Sequence, residues 1–237
     1  MAFMECNRIG NTRSICSGSL FGLGILPLQE GDCFQMQAKS WPLCNCCIRT
    51  ALQAGRKVYT LLTQNIDGLH QKAGSTATEL HGSLWKTRCL TCEDVVENLG
   101  IPVCPALEGK GAPDVNAKDA QIPDMQLPRC KKCHGLLRPH VVWFGESLFP
   151  DIIKQAYDSL KQCDLLLVIG TSAVVQPAAG FAPIVKGGGG HVAEFNVEDT
   201  PISRACSFKF QGKSGETLMR ALGLGPGDLG INEATSS

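Results

Sequence analysis

The stretch Asp164-Leu-Leu-Leu-Val-Ile-Gly-Thr-Ser172 decides the fold class. Its apolar residues run on without polar alternation, which is typical of a strand buried on both faces of a parallel sheet. The run stops at Gly170, Thr171 and Ser172, whose small side chains let a ligand approach the backbone closely. The stretch therefore predicts a central strand with a binding site at its carboxyl end.

Alternating helix and strand patterns surround this run. Between Pro150 and Cys163, the residues Ile153, Ala156 and Leu160 recur at spacings of three and four, which predicts a helix. The other predicted elements are the end of a helix at Ile48–Ala54, strands at Lys57–Leu62, Leu137–Phe144, His191–Phe195 and Ser207–Gln211, and a short helix at Glu216–Leu222. Together these patterns indicate the α/β class, with a Rossmann-like, doubly wound parallel sheet.

The composition limits the classes of partner and location. Lysine and arginine together number 22, as do aspartate and glutamate, so no bulk charge attracts nucleic acid or a membrane surface. No apolar run approaches the roughly 20 residues of a membrane-spanning helix. Thirteen cysteines, an odd number spread over 237 residues, indicate a reducing compartment rather than a secreted disulfide framework. The N-terminal residues make a poor transit peptide, so the residues alone leave the location open.

Two Cys-x-x-Cys pairs, Cys89/Cys92 and Cys130/Cys133, flank a segment rich in proline and glycine. Such pairs let four thiolates meet one Zn²⁺ at about 2.3 Å in a closed, structural site. Two other interpretations are open, namely four unrelated thiols or two redox pairs. A zinc ribbon that binds nucleic acid is disfavoured by the zero net charge.

Polar segments elsewhere in the chain have both a functional and a structural interpretation. Gln64, Asn65 and Asp67 could hydrogen-bond sugar hydroxyls and a carboxamide, or could form an Asx-type turn that needs no ligand. His81 could be a general base towards a ribose hydroxyl or water, or a structural histidine. Gly170-Thr-Ser172 leaves the same two alternatives open. No single segment identifies a function.

Taken together, short motifs follow one another in a consistent order along the chain. They are Thr63-Gln-Asn-Ile-Asp67, Gly68-Leu-His70, Glu79-Leu-His81-Gly-Ser83, the paired cysteines, Arg138-Pro-His-Val-Val-Trp-Phe-Gly-Glu146, Gly170-Thr-Ser172 and Ala193-Glu-Phe-Asn196. In this order they resemble the sirtuin family, the NAD-dependent protein-lysine deacylases, from about residue 50 to residue 222. Cys104-Pro-Ala-Leu107, Gly109-Lys-Gly-Ala-Pro113 and His140–Phe144 are most similar to the mitochondrial type that removes succinyl, malonyl and glutaryl groups.

The resemblance implies an activity and a set of site residues. In the family, the acyl oxygen of the substrate attacks the ribose carbon of NAD as nicotinamide departs, and water then releases lysine and O-acyl-ADP-ribose. His81 would be the general base, and one Zn²⁺ held by the four cysteines would be structural. The substrate peptide would lie as an added strand along Val142, Trp143, Phe144, Gly145 and Glu146. The NAD-binding residues would be Gln64, Asn65, Ile66, Asp67, Gly170, Thr171, Ser172, Asn196, Val197, Glu198 and Ser214.

Two family motifs have no counterpart in this chain. One is the loop Gly-Ala-Gly-x-Ser…Gly-Ile-Pro-x-Phe-Arg, whose backbone N–H groups bind the pyrophosphate; Gly22-Leu-Gly24 is only a glycine pair. The other is the Tyr-x-x-Arg pair that binds acidic acyl groups, since Tyr59 and Tyr157 have no arginine three residues later. A second hypothesis is therefore a catalytically silent, zinc-bearing variant or fragment that binds acyl-lysine peptides or partners without turnover.

The resemblance also divides the chain into parts. Residues 1–48 would be an atypical N-terminal segment that replaces the first strand and leaves an exposed sheet edge. Residues 49–88 and 134–224 would form the Rossmann-like catalytic domain, residues 89–133 the zinc-binding module, and residues 225–237 a flexible tail. Kinship predicts a mitochondrial location, with cytosol or nucleus as the alternative, and acyl-lysine proteins or peptides as partners. It leaves the oligomeric state open.

Overall fold

The computed structural model describes residues 2–5, 59–108 and 122–223, the first of these segments as backbone only. These residues belong to two compact units. The first unit contains residues 2–5, 59–81 and 142–223, and the second contains residues 82–108 and 122–141. The predicted helix end at Ile48–Ala54, the glycine pair Gly22-Leu-Gly24, the motif at 109–113 and the tail at 225–237 lie outside the described residues.

The strands of the described residues form one parallel and one antiparallel sheet. In chain order they are β1 (Ala2–Glu5), β2 (Thr60–Thr63), β3 (Thr78–Glu79), β4 (Gly82–Cys89), β5 (Val95–Glu97), β6 (Leu137–Val141), β7 (Leu165–Ile169), β8 (His191–Asn196) and β9 (Phe208–Gln211). The first unit holds a six-stranded sheet in the order β3-β2-β1-β7-β8-β9, and all its neighbouring strands are parallel. The predicted parallel sheet is thus confirmed.

Strand β1 lies inside this sheet, between β2 and β7. Ala2 is in register with Thr60 on one side and with Leu166 on the other. The expectation that the sheet lacks its first strand and exposes an edge there is therefore wrong. These four residues near the start of the chain carry no periodic pattern, and the pairing of their main chain with two neighbouring strands places them in the sheet.

Helices cover both faces of the parallel sheet. Along β7, successive side chains point to opposite faces. Leu166 shares a core with Leu160 and Phe181, which belong to helices on one face. Leu167 shares the core on the other face with Leu218. This arrangement confirms the doubly wound sheet, and its helices are α1 (Leu69–Lys72), α2 (Pro150–Lys161), α3 (Phe181–Gly187) and α4 (Ser214–Ala221).

None of the helices in the described ranges has the length and apolar content that crossing a membrane requires.

The second unit contains a three-stranded antiparallel sheet in the order β5-β4-β6. The strand predicted at Leu137–Phe144 ends at Val141 and belongs to this sheet, not to the parallel one. A β-bulge interrupts the pairing of β4 with β6 between Ser83 and Thr87. Among the described residues, the compact unit that holds the four paired cysteines contains 82–108 and 122–141, and the module predicted over 89–133 falls within these bounds.

Gly82, the first residue of β4, is expected to tolerate no larger side chain. Its φ is 77°, and a Cβ atom there would lie 2.0 Å from the carbonyl oxygen of His140 in β6. Gly82→Ala should therefore lower the free energy of unfolding by about 3 kcal/mol, because backbone strain and a backbone clash both oppose alanine. Urea unfolding of the purified protein measures the difference.

Gly189→Ala is the matched control for this substitution. Gly189 has φ 88°, but a Cβ atom there would have no neighbour within 4 Å. Gly189→Ala should lower the free energy of unfolding by only about 1 kcal/mol, because alanine there causes backbone strain but no steric clash. Equal losses for the two variants would contradict the steric explanation.

Candidate functional site

A hydrogen bond between side chains connects the ends of two parallel strands. Gln64 follows β2, and Thr171 lies two residues beyond the end of β7. Gln64 Nε2 donates to Thr171 Oγ1 at 3.3 Å, and both residues are buried. The two strands lie on either side of β1, so this bond crosses one strand of the sheet. It fixes two predicted NAD-binding residues relative to each other.

Thr171 also connects these residues to β8. Its carbonyl oxygen accepts a hydrogen bond from Asn196 Nδ2 at 2.8 Å. Its hydroxyl oxygen accepts the N–H of Ala173 at 3.2 Å, and the N–H of Gly170 donates to the carbonyl of Phe195 at 2.9 Å. The structure thus brings three of the predicted cofactor segments together at the carboxyl ends of β2, β7 and β8, where open α/β sheets bind ligands.

His81 is held in one tautomer by the backbone. Its Nδ1 lies 3.0 Å from the carbonyl oxygen of Gln64. A carbonyl oxygen can only accept a hydrogen bond, so Nδ1 carries the proton when the ring is neutral. Nε2 is then the ring nitrogen with a lone pair, which is the state that a general base requires.

Asp67 makes the turn that the sequence offered as its structural alternative. Its Oδ1 accepts the N–H of Leu69 at 3.0 Å, and Gly68 between them has φ 71°. Asn65 lies in the same segment and donates its N–H to Thr63 Oγ1 at 3.1 Å. Burial raises the pKa of Asp67, while the hydrogen bond from Leu69 acts in the opposite direction. The segment is therefore a turn that is closed by its own hydrogen bonds.

The remaining predicted cofactor residues are more accessible. The Oδ1 of Asn196 accepts the N–H of Val197 at 2.8 Å. Val197 and Glu198 are exposed, and Ser214 is the first residue of α4. Ile66 and Ser172 are half-buried next to Asn65 and Thr171. No described contact connects Ser214 directly with the hydrogen bonds at Thr171.

The predicted strand does not continue into Val142–Glu146, the segment along which the substrate peptide was predicted to lie. The N–H of Val142 donates to the carbonyl of His81 at 2.9 Å, but the chain then turns. Trp143 N–H donates to Glu146 Oε2 at 3.0 Å, Glu146 N–H donates to the carbonyl of Trp143 at 2.9 Å, and Gly145 has φ 89°. Phe144, at the turn, is 85% exposed. The segment nevertheless begins beside the candidate base.

The four paired cysteines form a second candidate site, in the second unit. All four sulfur atoms lie within 4.8 Å of one another. Cys89 Sγ is 3.4 Å from Cys133 Sγ, and Cys92 Sγ is 3.7 Å from Cys130 Sγ. Four thiolates at about 2.3 Å from a tetrahedral Zn²⁺ would be about 3.8 Å apart, so the cluster fits this ion.

The two halves of the cluster repeat the same backbone hydrogen bonds. In one, the N–H of Cys89 donates to the carbonyl of Asp94; in the other, the N–H of Cys130 donates to that of Gly135. In each half the first cysteine sulfur accepts the N–H two residues later, at 3.4 Å. The N–H groups of Cys92 and Thr91 lower the pKa of the Cys89 thiol, although burial opposes them, whereas, against the hydrogen bond from the N–H of Asp94, the neighbouring thiols and burial raise the pKa of Cys92. Such thiolates are the form that binds metal.

Gly135 is a residue of this cluster that the sequence reasoning missed. A Cβ atom there would lie 2.4 Å from Thr91 Oγ1 and 3.0 Å from Cys89 Sγ. The two halves therefore need glycine at this position to approach each other. The signal in the sequence is a glycine two residues after the last cysteine of the second pair.

Comparison with known proteins agrees with this geometry. Residues 35–177 match the Sir2 family. This chain belongs to the Sir2 family. The resemblance to the sirtuins inferred from the motifs is thus confirmed. The zebrafish (Danio rerio) protein named NAD-dependent protein deacylase sirtuin-5, mitochondrial, is 56% identical over 72% of this chain. The match covers 56% of the zebrafish protein, so the chain spans little more than half the length of this relative.

Solved structures of Sir2 homologues share the fold of this Sir2-family chain. A Sir2 homologue in complex with NAD has a TM-score of 0.59 and 38% identity, and the match covers 76% of this chain and 62% of that one. A structure described as Sir2 bound to acetylated peptide has a TM-score of 0.60 and 26% identity, with coverages of 81% and 79%. The Rossmann-like fold class is confirmed by both.

The cysteine cluster should bind one metal ion per chain. We expect elemental analysis of the purified protein to find one Zn²⁺, and Cys130→Ser to lose it because three thiolates leave the tetrahedron open. Replacement by Co²⁺ should give the thiolate-to-metal absorption of a four-sulfur site. Cys104→Ser is the control, because Cys104 Sγ contacts the carbonyl of Gln126 and lies outside the cluster. Metal retained by Cys130→Ser would refute this ligand set.

His70 should make the first unit sensitive to acid. Its side chain is 1% exposed in α1, and burial lowers its pKa from 6.5 to about 4. Between these values only the unfolded chain takes up the proton, so the free energy of unfolding falls as the pH drops from 6.5 to 4. The loss attributable to His70 should be about 3 kcal/mol and should not grow further below pH 4.

Urea unfolding at pH 7, 5.5 and 4 measures this dependence. In His70→Asn the loss of stability between pH 7 and 4 should be smaller than in the wild type, whatever the absolute stability of the variant. His191→Asn is the control, because His191 is exposed. An unchanged pH dependence in His70→Asn would show that other groups cause the acid sensitivity.

Proposed function

We propose that this chain is an NAD-dependent protein-lysine deacylase. The observation that carries the proposal is the bond between His81 Nδ1 and the Gln64 carbonyl, because it leaves Nε2 as the proton-accepting nitrogen beside the predicted NAD-binding residues. The proposal is supported by membership of the Sir2 family and by relatives that are named NAD-dependent protein deacylases.

The predicted cofactor residues suit a dinucleotide with two ribose rings. Gln64, Asn65 and Asp67, with Ile66 between them, would line the nicotinamide and its ribose. Gly170, Thr171 and Ser172 would hold the second ribose, together with Asn196, Val197, Glu198 and Ser214 on the adenosine side. When bound, NAD supplies the ribose carbon that receives the acyl oxygen as nicotinamide leaves. The donor set fits this ligand, because amide, carboxylate and hydroxyl groups hydrogen-bond sugar hydroxyls and carboxamides.

His81 would perform the proton transfer. Its Nε2 would take a proton from a ribose hydroxyl, while the Gln64 carbonyl holds Nδ1–H and stabilises the imidazolium that forms. The same carbonyl belongs to the residue whose side chain donates to Thr171. Gln64 would thus position both the base and the ribose-binding residue Thr171.

The substrate would be an acylated lysine in a protein or peptide. Val142, whose N–H binds the His81 carbonyl, would lie nearest the reacting group, and Trp143, exposed Phe144, Gly145 and Glu146 would contact the peptide. We infer a preference for succinyl, malonyl or glutaryl groups from the motif at Cys104 and from the segment His140–Phe144. A related structure described as bound to acetylated peptide supports the class of substrate.

Zinc and location complete the proposal. One structural Zn²⁺ would hold the two halves of the cysteine cluster together and take no part in proton transfer, because four thiolates leave no open coordination position. We propose a mitochondrial location, because the zebrafish and dog relatives are both named mitochondrial; the alternative is the cytosol or nucleus.

The first experiment is NAD binding to the zinc-loaded chain by isothermal calorimetry, followed by nicotinamide release with a succinyl-lysine peptide. We expect saturable NAD binding and nicotinamide release. His81→Ala should reduce the release about 10²–10⁴-fold, the usual contribution of a general base, and should leave NAD bound. His191→Ala, which removes an exposed histidine of the same unit, should behave as the wild type.

The same experiment separates the enzyme from the catalytically silent alternative. That alternative is favoured because the sequence contains no Gly-Ala-Gly-x-Ser motif. A zinc-loaded chain that binds the succinyl-lysine peptide but neither NAD nor its analogue ADP-ribose would be a binding protein. Nicotinamide release that His81→Ala leaves unchanged would overturn the role of His81.

A further inference from the structure

Glu194 is a buried carboxylate for which the proposed chemistry has no use. It is 1% exposed in β8, where it is in register with Val168 of β7 and Lys209 of β9. Because side chains alternate along a strand, Glu194 shares a face of the sheet with Val192 and Asn196. Val192 belongs to the apolar core on that face. A carboxylate between them is costly to bury unless hydrogen bonds compensate for the lost water.

Two hydroxyl groups supply these hydrogen bonds. Thr200 Oγ1 donates to one carboxylate oxygen of Glu194, and Ser203 Oγ donates to the other. Ser203 Oγ also accepts the N–H of Thr200 at 2.8 Å, and the N–H of Ser203 donates to the carbonyl of Thr200 at 3.1 Å. The turn Thr200-Pro-Ile-Ser203 is therefore closed on itself and attached to the strand at Glu194.

The three residues before this turn are consequently held at both ends. At one end, Asn196 Nδ2 donates to the carbonyl of Thr171, and its Oδ1 accepts the next main-chain N–H. At the other end, Thr200 is bound to Glu194. Only Val197–Asp199 lies between these anchors, and all three residues are exposed. Two of them are predicted to bind the adenosine side of NAD.

We propose that Glu194 is a positioning residue for the adenosine–ribose part of the NAD site, acting through Thr200 and Ser203. The inference rests on the proposed function, which assigns NAD binding to Asn196, Val197 and Glu198. A loop that is fixed before the ligand arrives loses less conformational entropy on binding than a loop that the ligand must order. The buried carboxylate therefore increases NAD affinity without contact with the reacting atoms.

The test removes the hydroxyl group of Thr200 and keeps the shape of its side chain. Thr200→Val should weaken NAD binding to the zinc-loaded full chain about tenfold in calorimetry, because only Ser203 then attaches the turn to Glu194 and the ligand must supply more of the order of the loop. Thr200→Ser restores a hydroxyl and should bind NAD within about twofold of the wild type. The KM for NAD should rise in Thr200→Val, whereas kcat and the KM for the succinyl-lysine peptide should not change.

Ser207→Ala is the matched control. Ser207 Oγ accepts the N–H of Val192 at 3.3 Å, so the variant removes a hydroxyl group bound to the same strand but away from the loop. Its NAD affinity should equal that of the wild type. Glu194→Gln keeps the shape of the side chain and one carbonyl acceptor. Its NAD affinity should therefore lie between that of the wild type and that of Thr200→Val.

A ligand-free measurement reports on the loop itself. Hydrogen–deuterium exchange of the amides of Val197–Ser203 should be faster in Thr200→Val than in the wild type and unchanged in Ser207→Ala. Faster exchange together with weaker NAD binding supports the inference.

The failures of the two proposals are distinguishable. If the wild type binds NAD and Thr200→Val binds it equally well, the positioning role is overturned and the proposed function stands, even if the variant melts at a lower temperature. If exchange of the loop amides does not change, the attachment to Glu194 does not order the loop and the inference is also overturned. If the wild type binds no NAD, the proposed function fails first and the inference fails with it.

Discussion

The hydrogen bonds of Thr171 are the constraint on which the candidate NAD site depends. Thr171 lies just beyond the carboxyl end of β7. Its hydroxyl accepts a hydrogen bond from Gln64 after β2, and its carbonyl accepts one from Asn196 at the end of β8. The residue is buried, and a buried polar group that loses its partner costs about 1–3 kcal/mol, so these bonds persist without a ligand. Because Gln64 is one of the partners, the same bonds fix the carbonyl that orients His81. The position of the candidate base is thus a consequence of the sheet.

Regular elements of this fold were predictable where packing and sequence pattern coincide. The apolar run before Gly170 had to be buried on both faces, and helix α2 had to present Ala156 and Leu160 to a core; both are observed. Strand β1 was missed because its place is set by two partner strands and not by its own pattern. The segment Val142–Glu146 was assigned wrongly because its β-branched and aromatic residues indicate a strand, whereas a turn closed by Glu146 decides its conformation.

The candidate sites were predictable in their residue types but not in their contacts. The spacing of Cys89, Cys92, Cys130 and Cys133 sufficed to predict a cluster, because a four-thiolate site admits few arrangements. For His81 the sequence left a base and a structural histidine as alternatives. The observation that favours the base is a bond to a main-chain carbonyl, and main-chain atoms carry no signal in a sequence. The turn at Asp67 shows in addition that a structural and a functional interpretation do not exclude each other.

Glu194 shows how a fold can favour geometry over stability. Val168 on β7 and Val192 on its own strand are apolar, so a leucine or valine would bury well beside them and would avoid the desolvation of a carboxylate. An apolar residue could not, however, bind the hydroxyls of Thr200 and Ser203, and the turn after Val197–Asp199 would then lose its attachment to β8. A short exposed loop that is less firmly held samples more conformations, of which few match a ribose ring. The carboxylate reduces the number of loop conformations before the ligand binds. The free energy lost by burying the carboxylate belongs to folding and not to ligand binding.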